Sequence, residues 1–205
     1  MKQQIVHIHG GEAFSTYEMY LERLRTMEIS DPLGLESPRK GWSKSMGEVL
    51  GDDFEVYRPS MPSHNNAKYE EWKIWFERYF GFLHDGVILI GHSQGGEFLY
   101  RYLSENQLPV AVRGLITVGA PAYKDDFGEE DGGDFHFKPD LVKDISNTIK
   151  DIHLFHSKDD DIVPFSHAER LQELLPAAHM HIFEDRGHFL QETFPELLDL
   201  LKKMA

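Results

Sequence analysis

The sequence predicts an α/β protein: a mostly parallel, twisted sheet of about six strands, with helices on both faces, in three layers. Three observations carry this. Short runs of branched apolar residues alternate with amphipathic stretches along the chain, the pattern of parallel strands joined by crossover helices. The run Val87-Ile88-Leu89-Ile90 stops at Gly91-His92-Ser93-Gln94-Gly95-Gly96 and passes into Glu97-Phe98-Leu99-Tyr100, which has helical character. Near the N-terminus a second apolar run, Ile5-Val6-His7-Ile8-His9, stops at Gly10-Gly11.

Taken in order, residues 5–9 form the first strand. Residues 15–29 read as a helix, capped by Ser15 or Thr16, with Tyr17, Tyr20, Leu21 and Leu24 near helical spacing. Residues 31–41, with two Pro and two Gly, read as a loop, and 42–50 as a second short helix. Residues 54–57 alternate like a strand. The loop that leaves it, 58–66, lies where an open α/β sheet gathers its ligand contacts, so Met61, His64 and Asn65 are candidates for touching substrate; a solvated turn is the competing reading. Residues 67–83 read as one helix with a broad apolar face of Tyr69, Trp72, Ile74, Trp75, Phe76 and Phe80. After the central strand come a strand at 115–118, a polar acidic stretch at 122–138 read as a loop over the site, and a helix at 139–149 opened by Pro139. A strand at 152–156, a loop to Pro164, a helix at 165–175, the last strand at 179–183 and a closing helix at 194–204 complete the chain. No repeat or linker divides it, so one domain over 1–205 is expected.

Composition narrows the function classes. A net charge of −14 argues against nucleic acid or an anionic membrane as partner, and no apolar run approaches a membrane span. The absence of cysteine removes disulfides, thiol nucleophiles and Cys-based zinc sites. The leading residues are too short and too polar for a signal peptide, so a cytoplasmic protein is expected. The acidic stretch lacks the alternate ligand spacing of a calcium loop. The paired histidines 7/9 and 179/181 each share a strand face, but without a carboxylate pattern beside them. No metal and no cofactor are expected.

Gly91-x-Ser93-x-Gly95 between an apolar strand and a helix is the pattern of a nucleophile elbow. So tight a turn brings strand end and helix start together, and a Cβ at 91 or 95 would collide. Ser93 would sit in a strained backbone conformation, its hydroxyl exposed at the top of the sheet. A phosphate loop does not fit, since no Lys follows the glycines. A serine hydroxyl needs a base, and the base needs an orienting carboxylate, in chain order Ser, acid, His on later strand-end loops. His188, in Gly187-His188-Phe189 after the last strand, is the candidate base among twelve histidines. His92 adjoins the nucleophile too closely to take its proton. The acid lies in Asp159-Asp160-Asp161, where three adjacent carboxylates stay unranked by these arguments. The helix start after Ser93 offers N–H groups to an oxyanion, and the strand end at Gly11, with Glu12 next, offers a second corner.

With these pieces the chain resembles the α/β-hydrolase superfamily, and most of all the small serine hydrolases of the retinoblastoma-binding serine hydrolase and YdeN-like group. The matching residues are Val6-His7-Ile8-His9-Gly10, Gly91-His92-Ser93-Gln94-Gly95-Gly96, Asp160-Asp161-Ile162-Val163-Pro164 and Gly187-His188-Phe189. The acidic run 126–130 also looks like that group. The resemblance selects Asp160 as the acid, four places before Pro164, and implies the N–H groups of Gln94 and Gly11 as the oxyanion hole. The motifs in this order lead to the expectation of an ester-type acyl substrate, with thioesterase, lipase, peptidase and acyltransferase activities open. The stretch after the strand at 115–118 leaves room for a minimal lid only, which points to small or accessible acyl substrates and away from interfacial lipase action. An epoxide hydrolase or dehalogenase would carry Asp in place of Ser93. The retinoblastoma-protein partnership of one relative, tied to a Leu-x-Cys-x-Glu motif, does not carry over to a chain without Cys. Residues 14–51 are longer than in the smaller relatives and are expected to form part of a cap or rim. A binding protein that keeps the fold without the chemistry is the alternative reading.

Overall fold

A computed structural model describes residues 1–29, 31–33, 41–122 and 132–205. Six strands form one all-parallel sheet: β1 Gln3–Ile8, β2 Phe54–Tyr57, β3 Val87–His92, β4 Val112–Val118, β5 Asp151–Ser157 and β6 His179–Phe183. Their order is β2-β1-β3-β4-β5-β6. The reversal falls at β1 and β3, where the chain starts in mid-sheet, goes outward to β2 and returns to build the other half. That is the crevice where an open α/β sheet binds ligands.

Strand alternation explains the two cores. Val87 and Leu89 join Val6, Ile8, Leu115 and Leu154 in one buried cluster, while Ile88 and Ile90 join Ile5, Ile116, Val118 and Phe155 in the other. A sheet buried on both faces needs such continuous apolar strands. Helices α3 Tyr69–Glu77, α4 Gln94–Glu105, α5 Pro139–Val142, α6 Ile145–Thr148 and α7 Ser166–Leu174 cover the first face, through residues such as Trp72, Phe76, Phe98, Val142, Ile145 and Leu171. Helices α2 Trp42–Leu50 and α8 Pro195–Met204 cover the second, through Trp42, Met46, Leu197 and Leu201. Among the described residues no helix is long and apolar enough to cross a membrane.

Three helices differ from their sequence patterns. Helix α1, Tyr17–Thr26, forms with Thr16 as its cap, Oγ1 accepting from Met19 N–H at 3.2 Å, but it buries no residue. Its aromatic residues contact one another and Phe14 rather than a sheet face. The stretch expected as one helix to residue 83 stops at Glu77; a single 3₁₀ turn, Phe80–Phe82, follows around Gly81, a weak helix former. Ile74 and Trp75, expected in the apolar face, are exposed. The stretch from Pro139 breaks into α5 and α6, joined by a three-residue bond from Asp144 N–H to Leu141 O, and Ser146, Asn147 and Thr148 do little to hold a longer helix. The loops expected at 31–41 and 122–138 lie largely outside the described residues.

Candidate active site

Ser93 stands between the end of β3 and the first turn of α4, at φ 53° and ψ −128°. A non-glycine residue there stores strain that its surroundings must hold. The turn is packed backbone on backbone. A Cβ on Gly91 would come within 2.6 Å of Gly95 O and Gly96 N, and one on Gly95 within 2.3 Å of Ile8 O. Ser93 N–H donates to Val118 O at 2.8 Å, and Ser93 O accepts from Gly96 N–H at 2.8 Å. The hydroxyl-bearing residue is partly exposed, while Gln94 and the rest of the first turn are buried. A Cβ on Gly10 would lie 3.6 Å from Ser93 Oγ, so the loop after β1 lies against the serine.

The structure brings His188 and Asp160 together over the same sheet end. His188 Nδ1–H donates to Asp160 Oδ2 at 2.8 Å, with Oδ1 at 3.1 Å. Asp160 Oδ1 also accepts from Ile162 N–H at 3.0 Å and Val163 N–H at 2.9 Å. Burial by itself raises such a carboxyl, but these hydrogen bonds outweigh it and hold Asp160 below the ordinary carboxylate range. Gly119 lies against both groups. Its φ is +53°, and a Cβ there would come within 3.2 Å of Asp160 Oδ2 and of the His188 ring. His188 sits in a doubly reversed segment: Gly187 has φ 49° and Phe189, fully buried, φ 55°. No hydrogen bond joins Ser93 Oγ to His188 in this structure. Contacts of this kind are often loose until a ligand is bound.

Of the three adjacent aspartates, Asp160 is buried and takes the imidazole, Asp159 bonds to the backbone of Gly187, and Asp161 is exposed. Behind His188 lies a layer of aromatic rings. His92 Nε2–H donates to His188 O at 2.9 Å, and Trp42 Nε1–H donates to Phe189 O at 2.8 Å. The Trp42 ring meets His7 edge-on at 5.2 Å and His92 at 6.0 Å. Burial pushes His92 down to about 4, and burial with the neighbouring His92 pushes His7 down to about 3. Both are therefore neutral wedges near neutral pH. Below Asp160, the buried His156 donates Nε2–H to Val163 O at 2.8 Å and so props the acid loop. Sequence reasoning placed Trp42 in a helix and His156 in a strand without linking either to the site. Neither carries a local motif: Trp42 acts through a residue far along the chain, and His156 through the loop that leaves its own strand.

At the opposite wall, Glu12 N–H donates to His64 O at 2.8 Å. That hydrogen bond occupies the group considered after Gly11. Among the described residues, no hydrogen bond occupies the N–H of Gly11 or of Gln94. A Cβ on Gly11 would meet His64 O at 2.7 Å, so the β1 loop and the loop after β2 are in contact here. Met61 is buried, and its N–H donates to His9 Nε2 at 2.9 Å, which places the His9 proton on Nδ1, facing Gly10 O at 2.6 Å. His64 is exposed, its ring 5.7 Å from that of His9. Asn65 is exposed, with no hydrogen bond to either loop among the described residues. Met61 and His64 thus border the serine's loop. Among the described residues no group of three or more His, Asp or Glu side chains is arranged to hold a metal ion.

A family model for serine hydrolases matches residues 34–202. The chain is 30% identical over 169 residues to serine hydrolase RBBP9 of Rattus norvegicus, covering 80% of this chain and 84% of that protein. It is 26% identical over 212 residues to the putative hydrolase YdeN of Bacillus subtilis, covering 98% and 95%. Among solved structures, the ydeN gene product of B. subtilis aligns with a TM-score of 0.73 at 24% identity, over 99% of this chain and 98% of that one. The meta-cleavage product hydrolase of Pseudomonas fluorescens aligns with a TM-score of 0.66 at 15% identity, over 98% and 90%. The six-stranded parallel sheet flanked by helices is that of the α/β-hydrolase fold.

Proposed function

The chain belongs to the serine hydrolase family, and on that premise we propose that it hydrolyses small carboxylic esters through Ser93, His188 and Asp160, the whole chain acting as one catalytic unit. Because His188 keeps its proton on Nδ1, donating that N–H to Asp160, Nε2 is the nitrogen left to act as base. Ser93 Oγ attacks the acyl carbon as its proton passes to Nε2. The carbonyl π electrons move onto oxygen, and the N–H groups of Gln94 and Gly11 receive that oxyanion. On collapse the C–O bond to the leaving group breaks, and His188 returns the proton to the departing oxygen. Water then attacks the acyl-enzyme by the same route, releasing the acid and restoring Ser93. Asp160, held charged, stabilises the imidazolium that forms at each step.

The observation that carries this reading is the pairing of His188 Nδ1 with a buried carboxylate at 2.8 Å, beside a serine held at φ 53° on a helix N-terminus. The partly exposed position of Ser93 supports small, accessible acyl groups; Met61 and His64, on the β1 side, are the proposed contacts for them. A panel of p-nitrophenyl esters of rising acyl length, with a thioester and an anilide alongside, tests it. The expected result is turnover of short esters, reduced on the order of 10⁴-fold or more by Ser93→Ala. No ester turnover, or turnover unchanged by Ser93→Ala, contradicts it.

A further inference from the structure

Past Phe183 the sheet ladder ends, and the chain must carry the base back over β5 without strand pairing. The last ladder partner is Ser157, in register with Phe183, and Lys158 N–H adds one more bond to Phe183 O at 2.8 Å. Beyond that point side chains take over. Ser157 is fully buried; its Oγ accepts from Arg186 N–H at 2.9 Å and donates its own proton to Asp159 Oδ1. The same Oδ1 accepts from Gly187 N–H at 2.9 Å. Two consecutive backbone N–H groups, one and two residues ahead of His188, are thus tied to one carboxylate, directly or through one hydroxyl.

We propose that Asp159 is a positioning residue for the general base: it fixes the backbone that carries His188, while its neighbour Asp160 fixes the ring. The inference rests on the catalytic reading of Ser93, His188 and Asp160 given above. The geometry is that of a lever. Gly187 and Phe189 both have positive φ, so the chain reverses on each side of His188, and Phe189 is anchored in the core. The 186–187 peptide is the other end of that lever: its carbonyl accepts from Phe189 N–H at 3.1 Å and its N–H donates to Asp159, so a small rotation there on losing the Asp159 bond swings the imidazole relative to Ser93. The Ser157 hydroxyl and the Gly187 N–H also hold the Asp159 carboxyl below its ordinary range, so it remains a charged acceptor at working pH. Asp161 makes no comparable bond among the described residues and serves as an internal control.

The test compares Asp159→Ala, Asp159→Asn and Asp161→Ala. Asn keeps an oxygen that accepts from both Ser157 and Gly187; Ala keeps none. Misplacing a catalytic group by about 1 Å costs on the order of 10²-fold. Asp159→Ala is accordingly expected to lower kcat on a p-nitrophenyl ester by ~10–100-fold, KM staying within about twofold and the melting curve still cooperative. Asp159→Asn and Asp161→Ala should stay within about threefold of the parent, since neither removes a positioning bond. A second readout does not depend on turnover: the far-downfield proton resonance of the His188 Nδ1–H···Asp160 bond. It is expected in the parent and Asp159→Asn, and lost or broadened in Asp159→Ala. Asp159→Ala with parental kcat and an intact resonance overturns the proposal; so does Asp159→Asn as impaired as Asp159→Ala, which would make charge rather than placement the cause. If the parent turns over no ester, the catalytic reading fails, and the resonance still decides whether Asp159 holds the backbone that presents His188 to Asp160.

Discussion

His188 Nδ1 donates to Asp160 Oδ2 at 2.8 Å, and two backbone N–H groups pin the same carboxylate from the other side. The ring is thereby held in one tautomer. Replacing Asp160 with Asn keeps the shape but presents an amide that can hold the wrong tautomer. The expected loss in kcat is on the order of 10⁴-fold. Steady-state kinetics on an ester check this, with a melting curve to show that the variant is folded.

The strain at Ser93 gives a second prediction. At φ 53° glycine is at ease and serine is not. Ser93→Gly should therefore abolish turnover and raise stability by about 1 kcal/mol, the order of cost assigned to one strained residue. For a chain of this length that is a rise in Tm of about 2–4 °C. Calorimetry of parent and variant checks it, and a fall in Tm would show that the hydroxyl is worth more to the fold than the strain costs.

Buried histidines set the behaviour in acid. Burial depresses His7 to about 3 and His92, His167 and His181 to about 4. In the unfolded chain each titrates near 6.5. Between about pH 6.5 and 4 the unfolded state binds more protons than the folded one, so stability falls as pH falls through that window. Asp160, depressed in the fold, adds a loss at lower pH still. Urea titrations at pH 7.5, 5.5 and 4.5 should show steadily falling midpoints, and His7→Gln should flatten the trend by about one proton.

Glu97 acts with the opposite sign. Fully buried in α4, it accepts from Gln94 Nε2 at 2.8 Å through Oε2, while Oε1 faces His136 Nδ1 at 3.3 Å. Burial raises this carboxyl, only partly offset by His136 and Gln94. A raised carboxyl supports the fold below its unfolded value of about 4.3 and withdraws that support as pH rises through the folded value. Glu97→Gln removes the buried charge and is expected to stabilise the protein at pH 8 by about 1 kcal/mol, with a smaller gain at pH 5. Denaturant midpoints at both values check the difference.

Much of this arrangement was legible in the chain. The central strands were readable because burial on both faces demands uninterrupted apolar runs; the edge strands β2 and β6, only partly buried, and helix α2 also match their expected limits. Gly91 and Gly95 were legible because a turn that tight excludes a Cβ. Helix ends were less so. Residues 67–83 keep an apolar period beyond Glu77, and only the tertiary setting exposes Ile74 and Trp75 and tightens Phe80–Phe82. The supporting shell was the least legible. Trp42 reaches Phe189 across 147 residues, and His156 reaches Val163 from inside a strand. The first pair is too distant in sequence to leave a local pattern, and the second depends on how the loop after β5 folds back. The roles of the three adjacent aspartates likewise depend on which loop faces each oxygen, which the sequence around them does not encode.

The most direct test of the central claim is covalent. The protein is incubated with a fluorophosphonate, digested, and mapped by mass spectrometry. The expected result is one phosphonyl adduct on the peptide bearing Ser93, absent from Ser93→Ala and formed far more slowly in His188→Ala. No adduct on the folded parent, or an adduct that persists in Ser93→Ala, would contradict the assignment of Ser93 as the nucleophile.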